Sequence, residues 1–180
     1  EVYVDLFDAV SFEGSSNLTT CTVVLPNVYG PRQCVGCGAV NIFARALLAG
    51  GPVTLFGDGR NVRDYLYVAD AVRALTHAGG CLPDVVGYLV AQGHASPHLP
   101  VGRMLVGTGV GTTDMDLLNA VRRTVLEQTG RWDDLWEPRL EPSRSCDVRS
   151  SVLPASPLVT TPLAAGVRLT VEAIRKERGL

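Results

Sequence analysis

Apolar positions along the chain switch between two periods, and the switches lay out its elements. Val2, Leu6, Ala9 and Val10 share one side of a helix with Asp5 and Asp8 opposite, so residues 2–12 read as an amphipathic helix stopped by Gly14-Ser15-Ser16-Asn17. TTCTVVL, residues 19–25, is short, β-branched and closed by Pro26, the pattern of a buried strand. Asn27 leaves that strand for a loop carrying Gly30-Pro31. AVNIFARALLA, residues 39–49, has helical spacing and ends at Gly50-Gly51-Pro52. PVTLF then reads as a strand, Gly57-Asp58-Gly59 as a turn and VRDYLYV, residues 62–68, as a second strand, with Asp70 placed to cap the helix ADAVRAL.

Residues 80–102 are rich in Gly, Pro and His and read as a surface insertion. RMLVG is a further strand. The segment after it leads into a strongly periodic helix whose start is marked by Thr112, Thr113 and Asp114 and whose end is marked by Gly130. Residues 131–156, with Trp132, Trp136 and several prolines, carry no regular period. LAAGVRLTVEAIRKERGL closes the sequence as a helix. Strands alternating with helices predict an α/β fold.

Composition narrows the function classes. With 180 residues, 46% hydrophobic and 19% charged, the chain can bury a sizeable core. A formal net charge of −2 points away from nucleic-acid and membrane-surface partners. No apolar run reaches the ~18 residues that span a bilayer. The acidic start EVYVDLFDAV reads as a helix and not as a secretory leader. Basic charge is carried almost wholly by arginine, since Lys176 is the single lysine. The five cysteines form an odd set without the spacing of a secreted scaffold, which favours a reducing compartment.

Several local patterns offer chemistry. LVGTGVGTT, residues 105–113, has the strand, glycine-rich turn and helix start of a dinucleotide site. Its spacing is G-x-G-x-G, however, and no acidic strand end follows ~20 residues later, so a tight turn before a capped helix is the better reading. Cys34-Val35-Gly36-Cys37 is a lone C-x-x-C without a second ligand pair for zinc, and it lacks a thioredoxin-type context, so both residues read as loop cysteines. His77, His94 and His98 sit at a helix end and in the insertion. Four features are left that packing does not explain: Asn27 with Tyr29-Gly30-Pro31-Arg32, the pair Leu55-Phe56, Arg63 at a strand mouth, and Arg144 with Asp147 and Arg149. Together they supply a neutral donor, an apolar face and guanidiniums, which suit a pyrophosphate with an attached base and sugar.

NVYGPRQ, AVNIFARALLAGGPVTLFGDGRNVRDYLYVADAVRAL, LVGTGVGTTDMDLLNAV and PSRSCDVRSSVL, in that order, resemble the second half of an NAD-dependent nucleotide-sugar epimerase/dehydratase of the extended short-chain dehydrogenase/reductase family. Within it they look most like UDP-glucose 4-epimerases. The resemblance implies the end of a Rossmann-type parallel sheet plus a small C-terminal substrate-binding domain. It places the last Rossmann helix and strand in residues 1–33 and the substrate-binding portion in residues 34–180. It also implies roles at matching positions. Asn27 would hydrogen-bond the diphosphate, Val40 and Asn41 would line the nucleotide site, and Leu55 and Phe56 would contact the base. Arg63 would pair with a phosphate and Arg144 with a phosphate or the ribose, with Asp147 placing the ribose or Arg144. Pro26 would lie by the nicotinamide. The implied reaction is oxidation at C4 of a nucleoside-diphosphate sugar, followed by hydride return to the opposite face or by loss of water.

Two elements of that family are not in this sequence. There is no glycine-rich NAD loop ahead of these motifs, and no tyrosine is followed four residues later by a lysine. An arginine usual before the asparagine is replaced by Val24 or Leu25. The resemblance therefore implies that NAD is held mainly by a region outside this chain, in a missing N-terminal half or a partner chain, with a homodimer or larger assembly as the expected form. Three readings stay open: the substrate-side part of an epimerase or 4,6-dehydratase; a non-catalytic remnant serving as a subunit or interaction module; and an unrelated metal-binding domain using the C-x-x-C and histidines.

Overall fold

The computed structural model describes residues 20–80, 101–131, 137–142 and 150–179. In chain order the strands are β1 (Thr20–Val24), β2 (Asn27–Tyr29), β3 (Thr54–Phe56), β4 (Val62–Arg63), β5 (Tyr65–Tyr67), β6 (Val101–Leu105), β7 (Thr112–Thr113), β8 (Arg139–Glu141) and β9 (Ser150–Ser151). The helices are α1 (Ala39–Leu48), α2 (Val68–Gly80), α3 (Asp114–Thr129) and α4 (Leu163–Glu177). The strands pair mainly in parallel: β1 with β6, β2 with β5, and β3 with β8. β4 lies between antiparallel β7 and parallel β9. The fold is α/β with short parallel sheets.

Periodicity builds the larger of two cores. Val40, Phe43, Ala44 and Leu47 of α1 are all buried, and so are Leu117, Leu118, Val121 and Val125 of α3 and Val167, Val171 and Ile174 of α4. These three stripes meet where α1, α3 and α4 pack on one another. Each such side chain contributes about 1.5–3 kcal/mol when removed from water. The second core sits under α2, where Ala71 and Ala74 pack against Leu66, Met104 and Val106. The expected ends of α3 are as the sequence places them. Thr113 accepts from the Asp116 amide at 3.0 Å, and left-handed Gly130 donates to the Leu126 carbonyl at 2.8 Å.

Three expectations change. Asp70 does not cap α2, which starts at Val68; it lies in the first turn, fully buried. Its carboxylate accepts from the Thr161 amide at 3.0 Å, from Thr160 Oγ1 at 3.3 Å and from the Arg73 guanidinium, and so ties α2 to the segment before α4. Residues 131–156 are not wholly irregular, since β8 and β9 lie within them and Ala155 bridges to Gly107. These strands are two or three residues long and pair only with distant partners, so they leave no local period. Of the expected insertion, Gly80 ends α2 and residues 101–102 open β6. Its remainder, the expected helix over residues 2–12, Trp132 and Trp136 lie outside the described residues.

The strand expected over residues 62–68 breaks at Asp64, which is fully buried between β4 and β5. Its main-chain carbonyl accepts from the Asn27 amide at 3.1 Å and from Asn27 Nδ2 at 3.2 Å. Its carboxylate accepts from the Thr108 amide at 3.1 Å, from the Leu153 amide at 3.3 Å and from the Thr108 hydroxyl. Gly107 makes this possible, because a Cβ there would lie 2.7 Å from Asp64 Oδ2. The glycine-rich turn is thus a packing turn closed on protein atoms.

Asp64→Ala leaves two buried amides without acceptors, so it is expected to cost about 3 kcal/mol or more in urea denaturation. Gly107→Ala should destabilise comparably through the same contact, and wild-type midpoints for both variants would contradict this reading. Asp70 generates a pH dependence. Burial opposes its ionisation, but the bonds from Thr161, Arg73 and Thr160 outweigh that and hold its pKa below the usual value. A depressed folded pKa stabilises fully above the unfolded value of about 3.9 and is lost as pH falls through the folded value. Thermal melts should show Asp70→Asn less stable than wild type at pH 7 and less steeply destabilised as pH drops below 4; parallel curves would count against it.

Candidate functional site

A cleft of about 650 Å³ opens between the loop after β2, the outer face of α1 and the ends of β3 to β5. This is the size of a small-molecule site. One side is apolar, formed by Val40 and Phe43 of α1 with Leu55 and Phe56 of β3. Val40 and Leu55 are buried and also belong to the core, so this wall is backed by packed helix. The other side is polar, with Asn27, Asn61, Arg63, Tyr65 and Asp114. Strand alternation aims Arg63 and Tyr65 the same way on either side of the inward-turned Asp64.

The polar wall is organised before any ligand arrives. Asn61 donates to Asp114 Oδ2 at 3.2 Å, joining the turn after β3 to the start of α3. Half-buried Arg63 donates from Nη1 to the Val62 carbonyl at 3.3 Å. Burial, with the Asp114 charge second, pushes the Tyr65 phenol far above its ordinary pKa, while Arg63 pulls the other way. Tyr65 therefore stays a neutral hydroxyl. The wall thus offers one guanidinium, neutral amide and hydroxyl groups and one carboxylate around an apolar floor. That arrangement binds and orients a ligand with a charged end and a flat or apolar end.

Five of the nine residues singled out in the sequence, Asn27, Val40, Leu55, Phe56 and Arg63, meet in this cleft. Asn41 does not line it. Its buried amide instead donates to the carbonyls of Cys34 at 2.8 Å and Gln33 at 3.4 Å, and its oxygen accepts from Arg45 at 3.0 Å. Pro26 is half-buried on the link between β1 and β2, away from the cleft wall. Arg144 and Asp147 lie outside the described residues. Sequence reasoning passed over Tyr65, Asn61 and Asp114. Tyr65 carried a usable signal, since it follows Arg63 at strand period two, whereas Asp114 had already been spent as a helix-start marker.

The cysteines also depart from expectation. Cys34 and Cys37, read as unpaired loop residues, are joined in a disulfide. The turn between them, closed by the Cys37 amide on the Cys34 carbonyl at 3.1 Å, sets their Cα atoms 5.4 Å apart, within disulfide range. Among the described residues no cluster of three His, Cys, Asp or Glu could hold a metal ion. Among them, too, no helix is long and apolar enough to cross a membrane. The single lysine, Lys176, is exposed in the last turn of α4. The glycine-rich turn ahead of α3 is filled by Asp64, Leu153 and Ala155.

Comparison with known proteins bears on family and fold. The profile of the NAD dependent epimerase/dehydratase family matches residues 8–80. A UDP-glucose 4-epimerase of Mycolicibacterium smegmatis is 37% identical over 172 residues, covering 87% of this chain and 46% of the relative. The structure of a UDP-glucose 4-epimerase from Thermotoga maritima with UDP-glucose superposes with a TM-score of 0.69 at 33% identity, over 98% of this chain and 51% of that one. A Thermus thermophilus UDP-glucose 4-epimerase in complex with NAD gives 0.68 at 30% identity, over 97% and 50%. This chain therefore spans about half the length of the relatives it matches, and NAD is the cofactor of their family. By profile over residues 8–80, by identity along most of its length and by fold, the chain is similar to the NAD-dependent epimerase/dehydratase family.

Proposed function

We propose that this chain is the substrate-side part of an NAD-dependent nucleoside-diphosphate-sugar 4-epimerase or 4,6-dehydratase, and that its cleft takes the nucleoside diphosphate. The observation that carries the reading is the convergence of five residues, scattered from position 27 to 63, on one cavity with an apolar wall and a guanidinium opposite. Leu55 and Phe56 form a face for a base, Arg63 neutralises a phosphate oxygen, and the Asn27 amide donates to the diphosphate. On the same reading Arg144 meets a phosphate or the ribose and Asp147 places the ribose or Arg144, both outside the described residues. Pro26 and a partner half, in the same polypeptide or another, complete the NAD side.

The chain's own residues bind and orient; none supplies the proton and hydride partners of the reaction. A second reading is a subunit that holds a nucleotide sugar without turning it over. Both readings share the cleft and part on turnover. Epimerisation or dehydration of a nucleotide sugar by the native polypeptide supports the first, and binding without turnover supports the second.

Calorimetric titration with UDP-glucose checks the shared claim. Arg63→Ala removes a charge-assisted bond of about 1.5–3 kcal/mol, so affinity should fall roughly 10- to 100-fold, with Arg63→Lys intermediate. Absence of binding to the wild-type chain, or equal affinity for Arg63→Ala, would overturn it.

A further inference from the structure

The Cys34–Cys37 disulfide lies beside the cleft and has no part in the nucleotide reading. It closes the loop between β2 and α1, and that loop forms part of the cleft through Gln33 and Gly38. We propose that this pair is a reversible redox site, a substrate for a small or protein dithiol, and that its oxidation state sets the order of the cleft wall and hence the affinity for the nucleotide.

Three observations support the assignment. First, both cysteines and the intervening Val35 and Gly36 are exposed, Val35 at 75%, so a reductant can reach the sulfurs. Second, the loop has little else to hold it. Gln33 Nε2 donates to the Val28 carbonyl at 3.3 Å, and the other tie is the Asn41 amide, which reaches the carbonyls of Gln33 and of Cys34 itself. The disulfide and Asn41 thus grip the same two or three residues from opposite sides. Third, the loop carries left-handed backbone on both sides of Cys34. Arg32 has a left-handed φ of 64°, uncommon without a glycine, and Gly38 has φ 71° with the Gln33 side chain packed where a Cβ would stand.

The exchange step balances. A thiolate of the dithiol attacks Sγ of Cys34, the Cys34–Cys37 bond breaks, and Cys37 leaves as a thiolate. Cys37 stands one residue before the Gly38 N-cap of α1, where the helix N-terminus favours negative charge, which makes it the better leaving group. The second thiol of the reductant then attacks the mixed disulfide and frees Cys34. Two electrons and two protons pass to the protein, and the reductant ends as a disulfide. Reoxidation by a disulfide of the same class runs the steps backward.

The effect on affinity rests on the reading of the cleft as a nucleotide site; the effect on the loop does not. The test keeps them apart by comparing oxidised and dithiothreitol-reduced wild-type protein, with the double variant C34S/C37S as control, in three measurements. Alkylation and peptide mapping should label Cys34 and Cys37 only after reduction. Amide hydrogen exchange over residues 32–42 should be faster in the reduced protein and in the variant than in the oxidised protein. UDP affinity should fall about fivefold or more on reduction, and the variant should bind like the reduced form whether or not reductant is present. Full labelling without reduction, or identical exchange in the two wild-type states, overturns the redox site whatever UDP does. Faster exchange with equal UDP affinity overturns the coupling. Faster exchange with UDP binding to neither state supports the loop switch and removes the nucleotide reading instead.

Discussion

A buried carboxylate met by amide and hydroxyl donors organises this fold. Asp64 is fully removed from water, and its charge is met by the amides of Thr108 and Leu153 and the Thr108 hydroxyl. Taking a carboxylate out of water is costly unless donors replace the hydration, and such donors must be fixed in place to do so. That requirement ties three distant stretches together: the β4–β5 link, the glycine-rich turn after β6, and the segment after β9. The main-chain carbonyl of the same residue receives both nitrogens of Asn27 and so fixes the end of β2.

The cleft follows from that junction. With Asp64 turned inward, strand alternation sends Arg63 and Tyr65 outward to the polar wall, and Asn27 is set beside them. The opposite wall comes from core packing, because Val40 and Leu55 serve the three-helix core and the cleft at once. The site is therefore rigid on its apolar side and at Asn27. Its softer edge is the loop of residues 30–38, stapled by the disulfide and by Asn41.

Much of this was legible from residue order alone, for definite reasons. Helices α1, α3 and α4 show as apolar stripes of helical period, and the ends of α3 show through Thr113 and Gly130. The roles of Asn27, Leu55, Phe56 and Arg63 came from the resemblance and not from periodicity, and the structure brings these four side chains to one cavity. What stayed hidden depends on contacts between distant residues. Asp70 looked like a cap because Asp precedes many helices, yet its partners are 90 and 91 residues away. Asn41 sat beside Val40 in a helix start, but its amide turned to the loop instead of the cleft. β8 and β9 are too short to carry a period, and an odd cysteine count hid a pair that a single turn closes. The role of Asp64 was equally invisible, because its acceptors' partners lie 44 and 89 residues downstream.

The central claim is that the cleft under Arg63 holds a nucleoside diphosphate. A crystal structure of the chain grown with UDP tests it most directly. The account predicts the diphosphate within hydrogen-bond reach of the Arg63 guanidinium and the Asn27 amide, with the uracil against Leu55 and Phe56. A cleft that stays empty at saturating UDP, or UDP bound elsewhere on the chain, would contradict it.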